Sequence, residues 1–308
     1  MMPRPGCRPP APSARQRRLR ELLVERKTLQ RYELAVGWFM QWCLLVGLGT
    51  AQNFEELDWQ LSEYLEFLWE QDQRRGLAGD TLSGVSHYAN AKRKIPFSWR
   101  LLAAWQRNEV PVRAPPMSRL MALAIAGAAA LDNDGWFALS ILVGFHAFLR
   151  TTELLTLTVG QVILSPTTNE VVLDLGYTKS GKRRGARELV VLDEPVCASL
   201  LRMAVAGRDP THLLVGCTPT QWRQKFAKYC EAAGLAGFEL KPYSLRRGGA
   251  TAFFMLTGSI SLALERGRWG QSATARIYLT EGRVACQNFA VPLAMAQRLH
   301  TLAAVWQW

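Results

Sequence analysis

The chain is poor in histidine and acidic residues. Only four histidines (His87, His146, His212, His300) occur in 308 residues, and they are dispersed, so no zinc-type spacing forms. Six cysteines (Cys7, Cys43, Cys197, Cys217, Cys230, Cys286) stand apart with no CxxC pair. Without a secretory leader this pattern predicts buried thiols rather than a disulfide framework. Long apolar runs are also missing: Met121–Leu131 and Trp136–Leu149 are separated by Asp132, Asn133 and Asp134, and each is shorter than the ~20 residues a membrane span needs. Residues 1–20 have no apolar centre, which predicts an intracellular protein with no membrane partner, nuclear if the source is eukaryotic. No internal repeat and no heptad run is present.

What remains is an apolar fraction of 49% with 20% charged residues, the composition of a globular chain of about two domains. The acid deficit leaves a net charge of +12. It is unevenly spread: net +7 over residues 1–31, −2 over 32–116 and +7 over 117–308. A basic arm, a near-neutral segment and a basic C-terminal part suit a chain that meets polyanions.

Residues 1–16 read as a disordered, Pro-rich and basic arm. The run Arg15, Arg17, Arg18, Arg20 is a phosphate contact, a nuclear-import patch, a solvated tail or the start of a helix. Residues 17–107 read as helical. Leu57, Leu61, Tyr64, Leu65, Leu68 and Trp69 recur at helical spacing, with Glu55, Glu56, Glu63, Glu66 and Glu70 on other faces. The cluster Lys92-Arg93-Lys94 marks the side of this domain that can face DNA. Residues 108–117 hold three prolines and read as a linker.

The second domain, residues 118–285, begins with two apolar helices, Ser118–Ala130 and Gly135–Arg150. Glu170–Leu175 and Arg187–Leu192 have the β-branched pattern of paired strands. The loop between them carries Lys179, Lys182, Arg183 and Arg184, a tip that is either a solvated turn or a probe into a groove. Thr218-Pro219 predicts a capped helix with Trp222, Phe226, Tyr229 and Ala233 as its apolar stripe. Short helices follow at Ser244–Leu256, Ser259–Arg266 and Ser272–Leu279. Residues 286–308 read as one more helix, docked either on its own domain or on a neighbouring protomer.

Several basic or polar groups lie in apolar settings. Arg150 ends a buried-looking helix, with Glu153 three residues on; a buried guanidinium needs a nearby anion. Arg246 and Arg247 precede Gly248-Gly249 and a core-like run. Trp269 lies nine positions before Tyr278.

In order and spacing these residues resemble the tyrosine recombinases, or phage-type integrases. The first arginine box of that family, Arg-x-x-acid-Leu, matches Arg150, Glu153 and Leu154. Its hairpin lysine, in a T-K-S-G turn, matches Lys179, with Lys182 as the fallback. Its second box is His-x-Leu-Arg; here Tyr243 replaces the usual His or Lys, and Arg246 matches. Its His or Trp nine residues before the nucleophile matches Trp269 and Tyr278. The LRRGGAT and GRW…RIY wording is similar to recombinase-type domains of eukaryotic mobile elements.

The resemblance implies a mainly α fold with a small antiparallel β-sheet, comprising an all-helical DNA-clamp domain and a mixed catalytic domain with DNA between them. It implies site-specific cleavage and rejoining of double-stranded DNA through a 3′-phosphotyrosyl intermediate, without metal, ATP or other cofactor, by a homotetramer on DNA. Arg150 and Arg246 would clamp the phosphate. Trp269 would donate its indole N–H, Lys179 would protonate the leaving 5′-oxygen, and Tyr278 would attack. Glu153 would orient Arg150. Tyr243 could hydrogen-bond, but a phenol is a poor base at neutral pH. Lys92, Arg93, Lys94, Lys182, Arg183, Arg184 and Arg247 would contact DNA. The competing readings are a DNA-binding protein of the same fold that has lost cleavage, and a type IB topoisomerase-like activity.

Overall fold

The computed structural model describes residues 23–91, 93–109, 113–178, 181, 185–269, 276, 279, 282 and 292–306. The chain divides into two compact units, Met1–Val112 and Arg113–Trp308. Among the described residues it is mainly helical with one small antiparallel sheet, the fold class expected from the sequence.

In the first unit the helices are α1 (Arg26–Leu45), α2 (Phe54–Glu70), α3 (Arg75–Tyr88) and α4 (Pro96–Asn108). α1 buries Ala35, Phe39 and Cys43, spaced by four, so one stripe faces inward. It lies close to α3, because a Cβ on Gly84 would come within 2.7 Å of Val36. Asn53 caps α2 by accepting the Glu56 N–H at 2.8 Å, and the Glu56 carboxylate accepts the Gln52 N–H at 2.7 Å. α2 then buries Leu61, Tyr64, Leu65 and Leu68. The cap of α4 comes from elsewhere in the chain. Asp58, buried in α2, accepts the Phe97 and Ser98 N–H groups at 2.8 and 2.9 Å and the Ser98 hydroxyl at 2.6 Å.

The second unit opens with α5 (Arg119–Leu131), capped by Ser118, and α6 (Gly135–His146), capped by Asp134. The sequence predicts that α6 runs on to Arg150, but it stops at His146. Phe148 turns into the left-handed region (φ 49°), and the Leu149 N–H returns to the Gly144 carbonyl at 3.1 Å. Arg150 therefore sits at the cap of the next helix, α7 (Thr151–Thr156), and not in a buried helix end. The sheet is β1 (Val162–Leu164), β2 (Val171–Gly176) and β3 (Glu188–Leu192), in the order β1-β2-β3, all antiparallel. Val171, Leu173, Val190 and Leu192 point inward, as strand alternation requires. β1 was not foreseen.

Then come α8 (Pro195–Val205), α9 (Pro219–Ala232), α10 (Pro242–Thr257), α11 (Ile260–Gly267) and α12 (Leu293–Ala303). α9 starts as its Thr-Pro signal predicts, and buries Trp222, Phe226 and Tyr229. The Trp222 indole N–H donates to the Ser140 hydroxyl at 2.9 Å, so a fully buried Trp keeps its polar atom satisfied. α12 docks on its own unit. Leu299 joins the core, the Trp306 indole N–H donates to the Leu123 carbonyl at 3.1 Å, and Arg298 donates to the Ala232 carbonyl at 2.6 Å. Gly127 permits this docking, since a Cβ there would meet the Leu302 carbonyl oxygen at 1.9 Å. Among the described residues no helix is long and apolar enough to cross a membrane.

Candidate active site

The sharp turn after α6 delivers Arg150 to the start of α7. There Glu153 occupies the third helical position and accepts the Arg150 backbone N–H at 2.8 Å. The carboxylate thus caps α7 and sits where the helix dipole favours negative charge. It also pairs with the Arg150 guanidinium, which remains about one-third exposed, whereas Glu153 itself is 8% exposed.

Two further guanidinium groups converge on the same carboxylate. Arg246, in the first turns of α10, reaches 3.8 Å from Glu153 Oε2 and is only 1% exposed. Its Nη1 donates to the Phe148 carbonyl and its Nη2 to the Gly267 carbonyl, both at 2.5 Å. The Trp269 ring lies over it, 4.9 Å from the guanidinium carbon. This close fold needs Gly267, because a Cβ there would lie 2.0 Å from the Trp269 ring. Burial, and then the like charges of Arg268 and Arg150, lower the Arg246 pKa to about 10, so it still carries its charge at neutral pH.

The third guanidinium belongs to Arg268, which ends α11 in the left-handed conformation (φ 56°). Its Nη2 donates to Glu153 Oε2 at 2.7 Å, and its Nε lies 3.4 Å from Glu188 Oε2 at the start of β3. Arg268 and Glu188 are both nearly fully buried. Sequence reasoning did not single them out. Glu153 is 115 positions from Arg268, and no local pattern links them. The one available signal was an arginine beside a tryptophan at a helix end, where glycine is usual.

A cavity of about 250 Å³ opens beside this cluster, lined by residues that include Arg150, Glu153, Gln161, Tyr177 and Thr178. It runs from the first arginine box to the residue preceding Lys179. A larger cavity of about 480 Å³ in the first unit is lined by groups such as Phe39, Met40, Leu57 and Tyr88 and by no charged side chain. It offers nothing to neutralise a phosphate.

The structure therefore brings Arg150, Glu153, Arg246 and Trp269 together. Tyr243 is on the first turn of α10, 38% exposed, and close enough for its phenol to act electrostatically on Arg246. Lys179, Tyr278, Lys92, Lys182, Arg183 and Arg184 lie outside the described residues. Leu279, next in the chain to Tyr278, is 1% exposed in a small cluster with Phe148, Ala250 and Ala263, against which Trp269 packs. Arg93 and Lys94 are exposed on the first unit, with Lys94 Nζ 4.0 Å from the Phe54 ring centre. Arg247 departs from expectation. It is 4% exposed and donates to the Ala114 carbonyl, so it ties α10 to the segment before α5 instead of presenting its charge at the surface. Among the described residues no group of three or more His, Cys, Asp or Glu could hold a metal ion.

No protein-family model and no curated protein matches the chain. Solved structures do. A lambda integrase dimer bound to a COC′ core site is similar with a TM-score of 0.57 and 15% identity, over 86% of this chain and 75% of that one. The chain shares its fold with lambda integrase. Lower-scoring similarities are to XerH site-specific recombinase bound to difH substrate (TM-score 0.49, 13% identity, 72% of this chain and 66% of that one) and to XerA recombinase (TM-score 0.45, 15% identity, 87% and 92%).

Proposed function

We propose that this chain is a site-specific DNA strand transferase that cleaves and rejoins double-stranded DNA through a covalent 3′-phosphotyrosyl intermediate. One observation carries the reading. Arg150 and Arg246, from distant segments, converge on one carboxylate, the Trp269 ring lies over Arg246, and the residue after Tyr278 is buried in the cluster that packs against Trp269. Three guanidinium groups face two carboxylates there, Glu153 and Glu188. That surplus of positive charge suits a phosphodiester monoanion.

In the proposed reaction the Tyr278 hydroxyl oxygen attacks phosphorus and gives up its proton to solvent water. The bond from phosphorus to the 5′-oxygen breaks, and Lys179 supplies the proton that makes a 5′-hydroxyl. Arg150 and Arg246 neutralise the non-bridging oxygens, which carry the growing charge. The Trp269 N–H donates to one of them, and Tyr243 contributes a hydrogen bond. The phosphotyrosyl bond keeps the energy of the broken one, so an incoming 5′-hydroxyl reverses the step and rejoins a strand without ATP or a metal. Because Trp269 covers Arg246, the ring has to move as the phosphate enters. Arg93 and Lys94, together with Lys92 and the hairpin residues Lys182, Arg183 and Arg184, hold the DNA backbone. Strand exchange joins protomers into a tetramer on DNA.

A second reading, DNA binding without cleavage, draws on the enclosure of Arg246, whose terminal nitrogens are taken by two backbone carbonyls. A nicked suicide duplex built from the DNA that flanks the gene separates the two, and inverted or direct repeats found there would nominate the sequence. An SDS-resistant protein–DNA adduct, absent from Tyr278→Phe, is the expected result. Binding with no adduct from the wild-type chain would establish the second reading instead.

A further inference from the structure

Glu188 connects the guanidinium cluster to Thr178, the residue before Lys179. Its Oε2 accepts the Thr178 hydroxyl at 2.7 Å and lies in ion-pair range of Arg268 Nε at 3.4 Å, while Arg268 Nη2 donates to Glu153 at 2.7 Å. The Thr178 hydroxyl oxygen accepts in turn from the Gly181 N–H at 3.2 Å. Gly181 is buried, and its carbonyl accepts the Ala186 N–H at 3.0 Å. A Cβ at Gly181 would lie 2.5 Å from the Ala186 carbonyl oxygen, so the chain there is tightly fitted to the returning arm of the hairpin. Lys179 and Ser180 are the two residues between these anchors. A continuous path of charge-assisted contacts thus runs Arg150–Glu153–Arg268–Glu188–Thr178. Buried, charge-assisted hydrogen bonds hold geometry more firmly than neutral surface ones.

We propose that Glu188 and Arg268 are positioning residues for Lys179. They register Thr178 and Gly181, which flank Lys179 in the chain, against the arginines proposed to bind the phosphate, so that the general acid and the phosphate clamp are set as one unit. Neither group touches the reacting atoms. The proposal rests on the strand-transfer reading above and adds to it the part of the reaction these two residues serve: protonation of the leaving 5′-oxygen. Mispositioning a general acid forfeits part of the roughly 10²- to 10⁴-fold that such a group supplies. A displacement of about 1 Å is enough to be felt.

The test exploits the leaving group. In a suicide duplex whose bridging 5′-oxygen is replaced by sulfur, the phosphorus–sulfur bond breaks to release a thiolate. A thiolate leaves without needing a proton, because a thiol is far more acidic than an alcohol. The full chain is assayed for adduct formation at saturating duplex, with oxygen and sulfur substrates in parallel. Thr178→Val removes the hydroxyl at a partly exposed turn and leaves the buried ion pairs intact; Glu188→Gln removes the buried charge. Both are expected to slow the oxygen substrate about tenfold or more and the sulfur substrate less than about twofold. Thr178→Ser, which keeps the hydroxyl, is expected to match wild type on both. Equal losses on the two substrates, or no loss on either, overturn the positioning role while leaving strand transfer in place. No adduct from the wild-type chain with either substrate overturns the strand-transfer reading and this inference with it.

Discussion

The carboxylate of Glu153 is the keystone of the guanidinium cluster, and Glu153→Gln isolates its charge. The amide keeps nearly the same shape and an oxygen that can still accept the Arg150 N–H. What it loses is the negative charge among Arg150, Arg246 and Arg268, two of which are almost completely buried. Removing one partner of a buried ion pair costs about 3–5 kcal/mol, because the remaining charge is left uncompensated. Glu188 still faces Arg268, which places the expectation at the lower end, about 3 kcal/mol. For a unit of this size that corresponds to a fall of roughly 6–12 °C in the midpoint of its thermal transition. The assay is urea unfolding of the wild type, Glu153→Gln, Arg268→Gln and the double variant. The first unit is followed separately, since two units need not unfold together. Residues in direct contact couple by about 0.5–3 kcal/mol, and a value above about 1 kcal/mol is expected here. Raising the salt from 0.1 to 1 M should change it little, because buried pairs are weakly screened. A coupling below about 0.5 kcal/mol would refute the reasoning, since the two side chains would then be contributing independently.

Two further outcomes concern stability elsewhere. Asp58→Ala leaves the Phe97 and Ser98 N–H groups without their acceptor in a buried setting, and is expected to cost the first unit about 2–4 kcal/mol. Hydrogen exchange should show faster opening of α4 with the second unit unchanged; equal protection in both proteins would remove Asp58 as its cap. His146 is held neutral, its pKa lowered to about 4 by burial, in a setting where Glu194 and Asp193 pull it up and Arg119 and Arg266 push it down. The unfolded chain, with a pKa near 6.5, takes up a proton that the folded chain refuses. The stability from this group is therefore complete above about pH 6.5 and declines toward pH 4. Between pH 7 and 5 the loss is about 2 kcal/mol, and His146→Gln should flatten that slope; an unchanged slope in the variant would assign the loss to other groups.

What the sequence made legible was local. The β-branched strands read at Glu170–Leu175 and Arg187–Leu192, the Thr218-Pro219 start of α9 and the helix starts at Ser118 and Ser259 are all encoded within a few residues of where they act. So is the pairing of Arg150 with Glu153, which lies within one helical turn. The end of α6 was not legible. Every residue from Phe137 to Phe145 is buried, and an apolar helix with no polar face carries no periodic signal to show where it stops. β1, at three residues, is too short to have a pattern, and its strand character comes from pairing with β2. No local pattern marks Asp58, because its partners are 39 and 40 positions away.

Arg268 gives the clearest case of that blindness, and it explains why the site outruns its motif. A left-handed residue at a helix end ordinarily favours glycine, because a side chain there costs about 1 kcal/mol or more. Arginine at this point is locally unfavourable, and only the tertiary structure supplies the compensation, through two buried carboxylates on other elements. Such a residue looks like an error by local rules. Residues that offend locally and are satisfied at long range concentrate where geometry is held for a purpose. By that criterion the αL arginine between Glu153 and Glu188 belongs with the matched motif residues as part of one preorganised charge array. The motif names the groups proposed to meet the phosphate, and the offending residue shows what holds the described ones in place.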